Sequence, residues 1–490
     1  MFKSRLGNGI YWRRAALVIL AISFIFTTFS LLARHFNFKT TAFDTGIQAG
    51  VARNIAFNGS FYNEVMDKNH LADHFAPALV LPGLLFYIRD DAAVVFIFQN
   101  ICIFLSIIIA YYLAREVLKD DRQALLLSFF YAVNYYLTAI NTTDYHIDTL
   151  AVPLLLTLLL LVERRKSAQS LILIGLISLV ILCIKEDFPL TLAGLGMFVL
   201  LFRKGRRTSG AVMFLIGGIG FYLIINYLMP RPSGNEYVHI QYYSGLGNST
   251  SEVVKHILTR PDIVIQNLIT PPEKLLRLFL LLASFMLLPI FAPIELCSAA
   301  VPIFYQLVSS YEHQYMFHSH YAAPALPFLY YSSIYGFRRA KKILHKIGEN
   351  GWLKTRQMIL AVGMVLLVFC VINTVAAYTR NIIRYDNKLY LTFKNKVKPI
   401  ISRTSRVISS NQIQPHFIGY AKSDYLWKVK DLDSAFDYLV MYPRQKSFSL
   451  PDSVYFNYLA QSNRSYEVCY EDSNFLVYRV ISKADLEKFR

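Results

Sequence analysis

Five short stretches carry the side chains that could do chemistry. They are Phe43-Asp44-Thr45-Gly46, Asn69-His70-Leu71-Ala72-Asp73-His74, Asp144-Tyr145-His146-Ile147-Asp148, Lys185-Glu186-Asp187, and Glu312-His313 with His318-Ser319-His320. Asp44 is placed to act as a general base for a hydroxyl, while Asp73 and His74 can orient it, hold a cation or contact a phosphate. Asp144, His146 and Asp148 make an oxygen–nitrogen ligand set suited to a divalent cation or to hydrogen-bonding a sugar. Lys185 can hold a phosphate, and His318-Ser-His320 is a loose metal pattern. Plainer roles compete: Asp44 and Asp148 as helix caps, His74 bonded to a backbone carbonyl, and the charged triplet as an interfacial anchor.

The elements that must position these residues are hydrophobic. The chain has 490 residues, of which 55% are hydrophobic, more apolar surface than a soluble domain can cover. Ala15–Leu32, Val94–Leu113, Gly210–Leu228 and Met358–Ala377 are close to the ~20 residues that span a bilayer. The net charge of +18 is gathered in short clusters between apolar runs, a topology signal, so nucleic acid is not expected as a partner. Lys3, Arg5, Arg13 and Arg14 precede the first run and place the N-terminus inside. Arg115/Lys119/Arg122, Arg164/Arg165/Lys166, Arg203/Lys204/Arg206/Arg207 and Arg338/Arg339/Lys341/Lys342/Lys346 follow at alternate loops. On this topology ten of the eleven histidines fall outside, His345 being the exception. Four cysteines lie in apolar runs and Cys469 stands alone, so neither a disulfide framework nor a zinc motif is expected.

The expected fold is an all-α polytopic membrane protein of about eleven spans, at 15–33, 92–114, 123–140, 149–162, 169–184, 188–202, 210–229, 276–292, 295–308, 321–337 and 357–377. Phe75–Ile88, only about 14 residues with Pro77, Pro82 and Gly83, has the length of a re-entrant segment. The stretch 276–308 should break at Pro289 and Pro293. External regions are expected at 34–75 and at 230–275, the latter with an amphipathic helix around Ser251–Leu268. The transmembrane domain covers 1–379. Residues 380–490 change to a polar, aromatic-rich composition with strand-like runs at Tyr438–Tyr442 and Phe475–Val480, expected to form a small α/β extracytoplasmic domain.

Phe43-Asp44-Thr-Gly-Ile, Asp73-His74-Phe-Ala-Pro77, Asp144-Tyr-His146-Ile-Asp148, Ile184-Lys185-Glu186-Asp187 and His320-Tyr-Ala-Ala-Pro324 occur in an order that resembles the predicted membrane proteins of the domain-of-unknown-function 2079 family. The match covers about residues 40–340 and the tail. The layout is also similar to the GT-C integral-membrane glycosyltransferases, such as the protein mannosyltransferases and the aminoarabinose transferases of lipid A. That resemblance implies that Asp44, in the first external loop, is the catalytic base. Many GT-C enzymes carry paired acids there, whereas Asp44 has no acidic neighbour, so Asp73 would be its partner.

The function this implies is transfer of a sugar from a polyprenyl-phosphate donor to an acceptor hydroxyl on the extracytoplasmic face, with inversion. Asp44, Asp73 and His74 would be catalytic. Asp144, His146, Asp148, Lys185, Glu186, Asp187, His318 and His320 would bind substrate. A divalent cation, if used, would be held by Asp73, His74 or His146. The expected partners are the lipid-linked sugar, membrane lipids and a glycan, lipid or protein acceptor. The expected location is the cytoplasmic membrane, with the N-terminus inside and the C-terminal domain outside. Two other classes fit the same sequence. A lipid or polysaccharide transporter should place ionisable residues at mid-depth; a non-catalytic scaffold would work through its tail alone.

Overall fold

The computed structural model describes residues 2–164, 166–234, 237–349, 353–425, 436–442 and 465–481. Helix α1 (Phe2–Phe36) leads through a single π-helical turn, Ala42–Gly46, into α2 (Ile47–Asn58). A two-residue hairpin, β1 (Tyr62–Asn63) with β2 (Lys68–Asn69), precedes a short apolar helix, Pro77–Tyr87. The helical body continues with α3 (Ala93–Leu118), α4 (Asp121–Ala132), α5 (Tyr135–Thr142), α6 (Ala151–Glu163), α7 (Ala168–Leu182), α8 (Phe188–Phe202) and α9 (Arg207–Leu223). It closes with α10 (Thr250–Thr259), α11 (Pro261–Ile269), α12 (Glu273–Ala283), broken turns to Val308, α13 (Leu326–Glu349) and α14 (Leu353–Ile383).

Among the described helices, four are long and apolar enough to cross a bilayer: Arg14–Phe36, Ala93–Leu118, Lys204–Pro232 and Leu360–Ile383. They become five if α4 and α5, bent by 50° at their junction, count as one span. Eleven were expected. Each expected run does contain helix, but α7 and α8 have 15 residues apiece, about 22 Å at 1.5 Å per residue, short of the ~30 Å hydrocarbon core. The α4–α5 bend has a local cause, since Asn134 stops α4 and caps α5 by accepting from the amides of Tyr136 and Leu137. Prolines explain the breaks after α12, with Pro289 and Pro293 each starting a new short turn. The amphipathic helix expected at Ser251–Leu268 is two helices, because Pro261 has no amide to continue α10 and instead opens α11.

Small residues and buried polar groups hold the bundle together. A Cβ on Gly196 of α8 would run into the backbone of α9 at Phe214, and one on Gly217 would stand 2.6 Å from the Ala193 amide, so the two helices pack backbone to backbone. Asn100 of α3 donates to Thr28 of α1 at 2.7 Å, while Asn141 of α5 donates to Asn100 at 2.9 Å and to the Tyr378 hydroxyl of α14 at 2.8 Å. Leu17, Ile19, Ile22 and Ile25 of α1 and Val362, Val365, Phe369 and Ile372 of α14 are exposed, as residues facing lipid would be.

Beyond α14 the chain forms a mixed five-stranded sheet of β3 (Arg406–Ser409), β4 (Lys422–Tyr425), β5 (Tyr438–Met441), β6 (Ser465–Glu471) and β7 (Leu476–Ile481), in the order β4-β3-β5-β7-β6. The β3–β4 and β3–β5 pairs are parallel and the β5–β7 and β6–β7 pairs antiparallel. Both strand-like runs read in the tail are strands here. Residues 426–435, 443–464 and 482–490 of the expected domain 380–490 lie outside the described residues, as does Arg165 of the Arg164/Arg165/Lys166 cluster.

Candidate active site

The five motifs converge at one end of the helical body. Helix α8 shows the geometry: Asp187 stands just before its first turn and Arg203 just after its last. Around the Asp187 end gather the π-turn of Asp44, the loop 143–150, the segment 311–322 and the loop following α9.

Asp44 is at the centre of the first group. Its side chain is 41% exposed, and its Oδ1 is 3.3 Å from His146 Nε2. Gln48 sets the tautomer of that histidine. The Ile147 amide donates to Gln48 Oε1 at 2.8 Å, which turns Gln48 Nε2 onto His146 Nδ1 at 2.7 Å. With Nδ1 accepting, the ring proton belongs on Nε2, facing Asp44. The ring itself is stacked on His320, centroids 3.4 Å apart. Burial works to raise the Asp44 carboxyl, but His146, Arg34 and Lys185 outweigh it and hold the group below the ordinary carboxylate value. Asp44 makes no capping bond, so the cap role has no support at this position.

The other acids of the Asp144–Asp148 motif diverge. Asp144 pairs with Arg34 at 2.7 Å and accepts from the Thr41 amide at 2.9 Å, which anchors the entry to the π-turn. Asp148, 2% exposed, faces Lys185 at 3.4 Å. Lys185 also lies over the Tyr321 ring, 5.4 Å from its centroid. Burial disfavours its ammonium, yet Asp148 and Asp187 hold its pKa well above normal, so this buried lysine stays charged.

Glu186 points the other way, into a second group. Its Oε1 is 2.9 Å from His74 Nδ1, and its Oε2 accepts the Phe75 amide at 3.1 Å. His74 is stacked on His239, centroids 4.5 Å apart and 10° from parallel. His239 Nε2 reaches the Asp73 carbonyl at 3.0 Å, while its Nδ1 is buried without a partner. One donor atom from each of His74, Glu186 and His239 lies within 4.8 Å of the others. Two imidazoles and a carboxylate suit a borderline divalent cation such as zinc or manganese. Of the three residues expected to hold a cation, His74 joins this group. Asp73 pairs with Lys68 at 2.9 Å on its rim, and His146 belongs to the Asp44 group. Asp187 completes the triplet: its Oδ2 accepts from Tyr305 at 3.2 Å, its Oδ1 is buried without a partner, and burial pushes its carboxyl up to about 6. His318 is exposed, its ring 5.5 Å from His313.

The C-terminal sheet closes over the same end. Asn411 accepts the Ala42 amide through both its backbone oxygen and its Oδ1, at 2.8 and 2.9 Å. A Cβ on Gly46 would strike the buried Gln414 side chain. Asp90 bridges Arg53 of α2 and Arg403 of the tail, with contacts of 2.9 and 2.6 Å. His239, Gln48, Asn411 and Gln414 escaped the sequence reading. All four lay in regions expected to be external, but only His239 had a side chain whose type was a signal; the other three had none beyond their tertiary neighbours.

A helical body with several apolar helices, followed by a small C-terminal sheet, defines the class as integral membrane proteins. The chain belongs to the DUF2079 family, "Predicted membrane protein", whose model matches residues 34–477. No curated protein matches its sequence. Among solved structures, ArnT from Cupriavidus metallidurans bound to undecaprenyl phosphate is similar in fold, with a TM-score of 0.55 at 13% identity over 96% of this chain and 98% of that one. The same protein in its apo state gives 0.52 at 11% identity over 95% and 98%. The likeness is one of fold along nearly the whole of both chains.

Proposed function

We propose that this protein is an integral-membrane glycosyltransferase of the GT-C type, which moves a sugar from a polyprenyl-phosphate donor to an acceptor hydroxyl on the extracytoplasmic face of the cytoplasmic membrane. The observation that carries this reading is an accessible, ionised Asp44 within reach of the proton-bearing nitrogen of His146, on the same face as a buried charged Lys185. The fold shared with a protein crystallised with undecaprenyl phosphate supports the lipid class of the donor.

In this reading Asp44 accepts the proton of the acceptor hydroxyl. The acceptor oxygen bonds to the anomeric carbon from the face opposite the leaving group, the bond from that carbon to the phosphate oxygen breaks, and the lipid phosphate departs with the electron pair. His146 keeps Asp44 ionised until the proton arrives. Lys185 faces the charge that develops on the departing phosphate, and a preorganised cation at that point acts where it matters most. His74, Glu186 and His239 would hold a divalent cation, which would supply Lewis-acid stabilisation of the same phosphate.

The test is transfer from a panel of radiolabelled polyprenyl-phosphate sugars in membranes, comparing wild type with Asp44→Asn. Transfer that depends on Asp44 supports the reading and identifies the donor. Equal transfer in both proteins removes Asp44 from the mechanism, and a folded wild type inert with every donor removes the activity.

A further inference from the structure

Helix α12 is amphipathic in an unusual sense. Leu275, Leu276 and Phe279 are 50%, 53% and 54% exposed, whereas Lys274 is 2% exposed and Leu281 fully buried. Lys274 and Arg277, three residues apart, share the inward side. An amphipathic helix normally turns its apolar stripe to the core and its cations outward; this one turns its cations into the protein. Lys274 Nζ donates to the Asn267 carbonyl at 2.6 Å and lies 5.1 Å from the centroid of the Tyr315 ring. Arg277 Nε is buried without a partner. Among the described residues neither cation has a carboxylate in ion-pair contact. Burial lowers the Lys274 ammonium to about 8, so it remains charged at neutral pH. Two inward cations with no carboxylate in ion-pair contact are costly, and the cost falls when an anion sits between them. His318 links this place to the candidate active site. Its imidazole is lowered by burial, by His313 and by Arg277, and raised by Asp44, so it lies within electrostatic reach of both ends.

We propose that Lys274 and Arg277 form a binding site for an anionic group, a phosphate or a carboxylate, separate from the donor-phosphate position at Lys185. Assigning that anion to the acceptor rests on the glycosyltransferase reading above; the existence of the site does not. The acceptor class it selects is an anionic lipid headgroup or an anionic soluble molecule, with the hydroxyl to be glycosylated on the His318 side.

The experiment uses the full chain in nanodiscs and scores binding without turnover. Wild type, Lys274→Met, Arg277→Gln and the distant Glu295→Gln are loaded with mixtures of phosphatidylglycerol and phosphatidylcholine, and retained lipid is read by native mass spectrometry, with and without inorganic phosphate. Wild type and Glu295→Gln should prefer phosphatidylglycerol. The two α12 variants should lose that preference by about tenfold or more, the loss expected of a charge-assisted hydrogen bond. Displacement by inorganic phosphate would make the ligand a soluble anion, and resistance to it a lipid headgroup; either supports the site. Wild-type preference retained in Arg277→Gln overturns it. If Lys274→Met fails to fold, the half-buried Arg277 carries the test alone. Because no sugar is transferred, loss of binding in these variants stands even if no donor is ever found.

Discussion

The two ends of helix α8 treat buried charge in opposite ways. At the Arg203 end, Glu295 is 3% exposed and fully engaged: Arg339 reaches it at 2.8 and 3.3 Å and Arg203 at 3.4 Å. Arg203 also donates to the Tyr331 hydroxyl at 3.1 Å and lies against the Phe198, Tyr331 and Tyr335 rings. At the Asp187 end, by contrast, Tyr145 Oη, Asp148 Oδ2, Asp187 Oδ1, His239 Nδ1 and His320 Nδ1 are buried without hydrogen-bond partners. Buried polar groups are normally satisfied, and a local excess of unsatisfied ones marks a place built for something other than stability. The arginine-rich end is a lock, and the histidine–carboxylate end the candidate site.

That contrast can be broken at several points. The largest combined effect, on rate and stability together, should come from Lys185→Gln, which removes the cation proposed to face the departing phosphate and leaves Asp148 buried without its ammonium. Transfer per folded molecule should fall roughly 10²–10³-fold, and breaking the buried pair should cost about 3–5 kcal/mol in stability, read by initial rates and by melting. Gly46→Ala comes next. Its methyl must displace Gln414, so the tail is pushed off the π-turn, with a loss of about 1–3 kcal/mol and a lower rate from a misplaced Asp44. Adding Gln414→Ala should restore part of both, and a double-mutant cycle showing no coupling would separate the tail from the site.

The smallest effect is one of pH. A carboxylate whose pKa is lowered on folding is in its base form above that lowered value and loses it only as pH falls through it. Asp44 should therefore put no acid limb on the rate above pH 3.8, its ordinary value. A limb near pH 6 that vanishes in Asp187→Asn, whose carboxyl burial pushes up to about 6, would assign proton transfer to Asp187 instead.

Much of this arrangement was legible along the chain. Apolar runs located the helices, and the clustered Arg and Lys, Arg203 and Arg339 among them, were read on the side opposite the histidine and carboxylate motifs. Asp44, His146, Lys185 and His320 were recognisable because each sits at the end of an apolar run, where a charged or imidazole side chain needs a reason. Their pairings were not legible. His74, Glu186 and His239 meet from three distant loops, and no local pattern encodes that meeting. The Asp144–His146–Asp148 spacing looked like one ligand set, yet its side chains go to Arg34, Asp44 and Lys185, partners that only the tertiary fold brings near. The break at Pro289 and Pro293 was read from the prolines, whereas the bend at Asn134 was not, because hydrophobic length alone does not mark where a capping side chain will interrupt a helix. Pro261 did carry its signal openly.

The most direct test measures both ends in one experiment: sugar transfer and thermal melting for Asp44→Asn and Glu295→Gln in nanodiscs. Asp44→Asn should lose about 10²–10⁴-fold in rate, the usual worth of a general base, with its melting unchanged. Glu295→Gln should melt earlier while each folded molecule transfers at the wild-type rate. Full transfer by Asp44→Asn, or loss of transfer by folded Glu295→Gln, would contradict the division between site and lock.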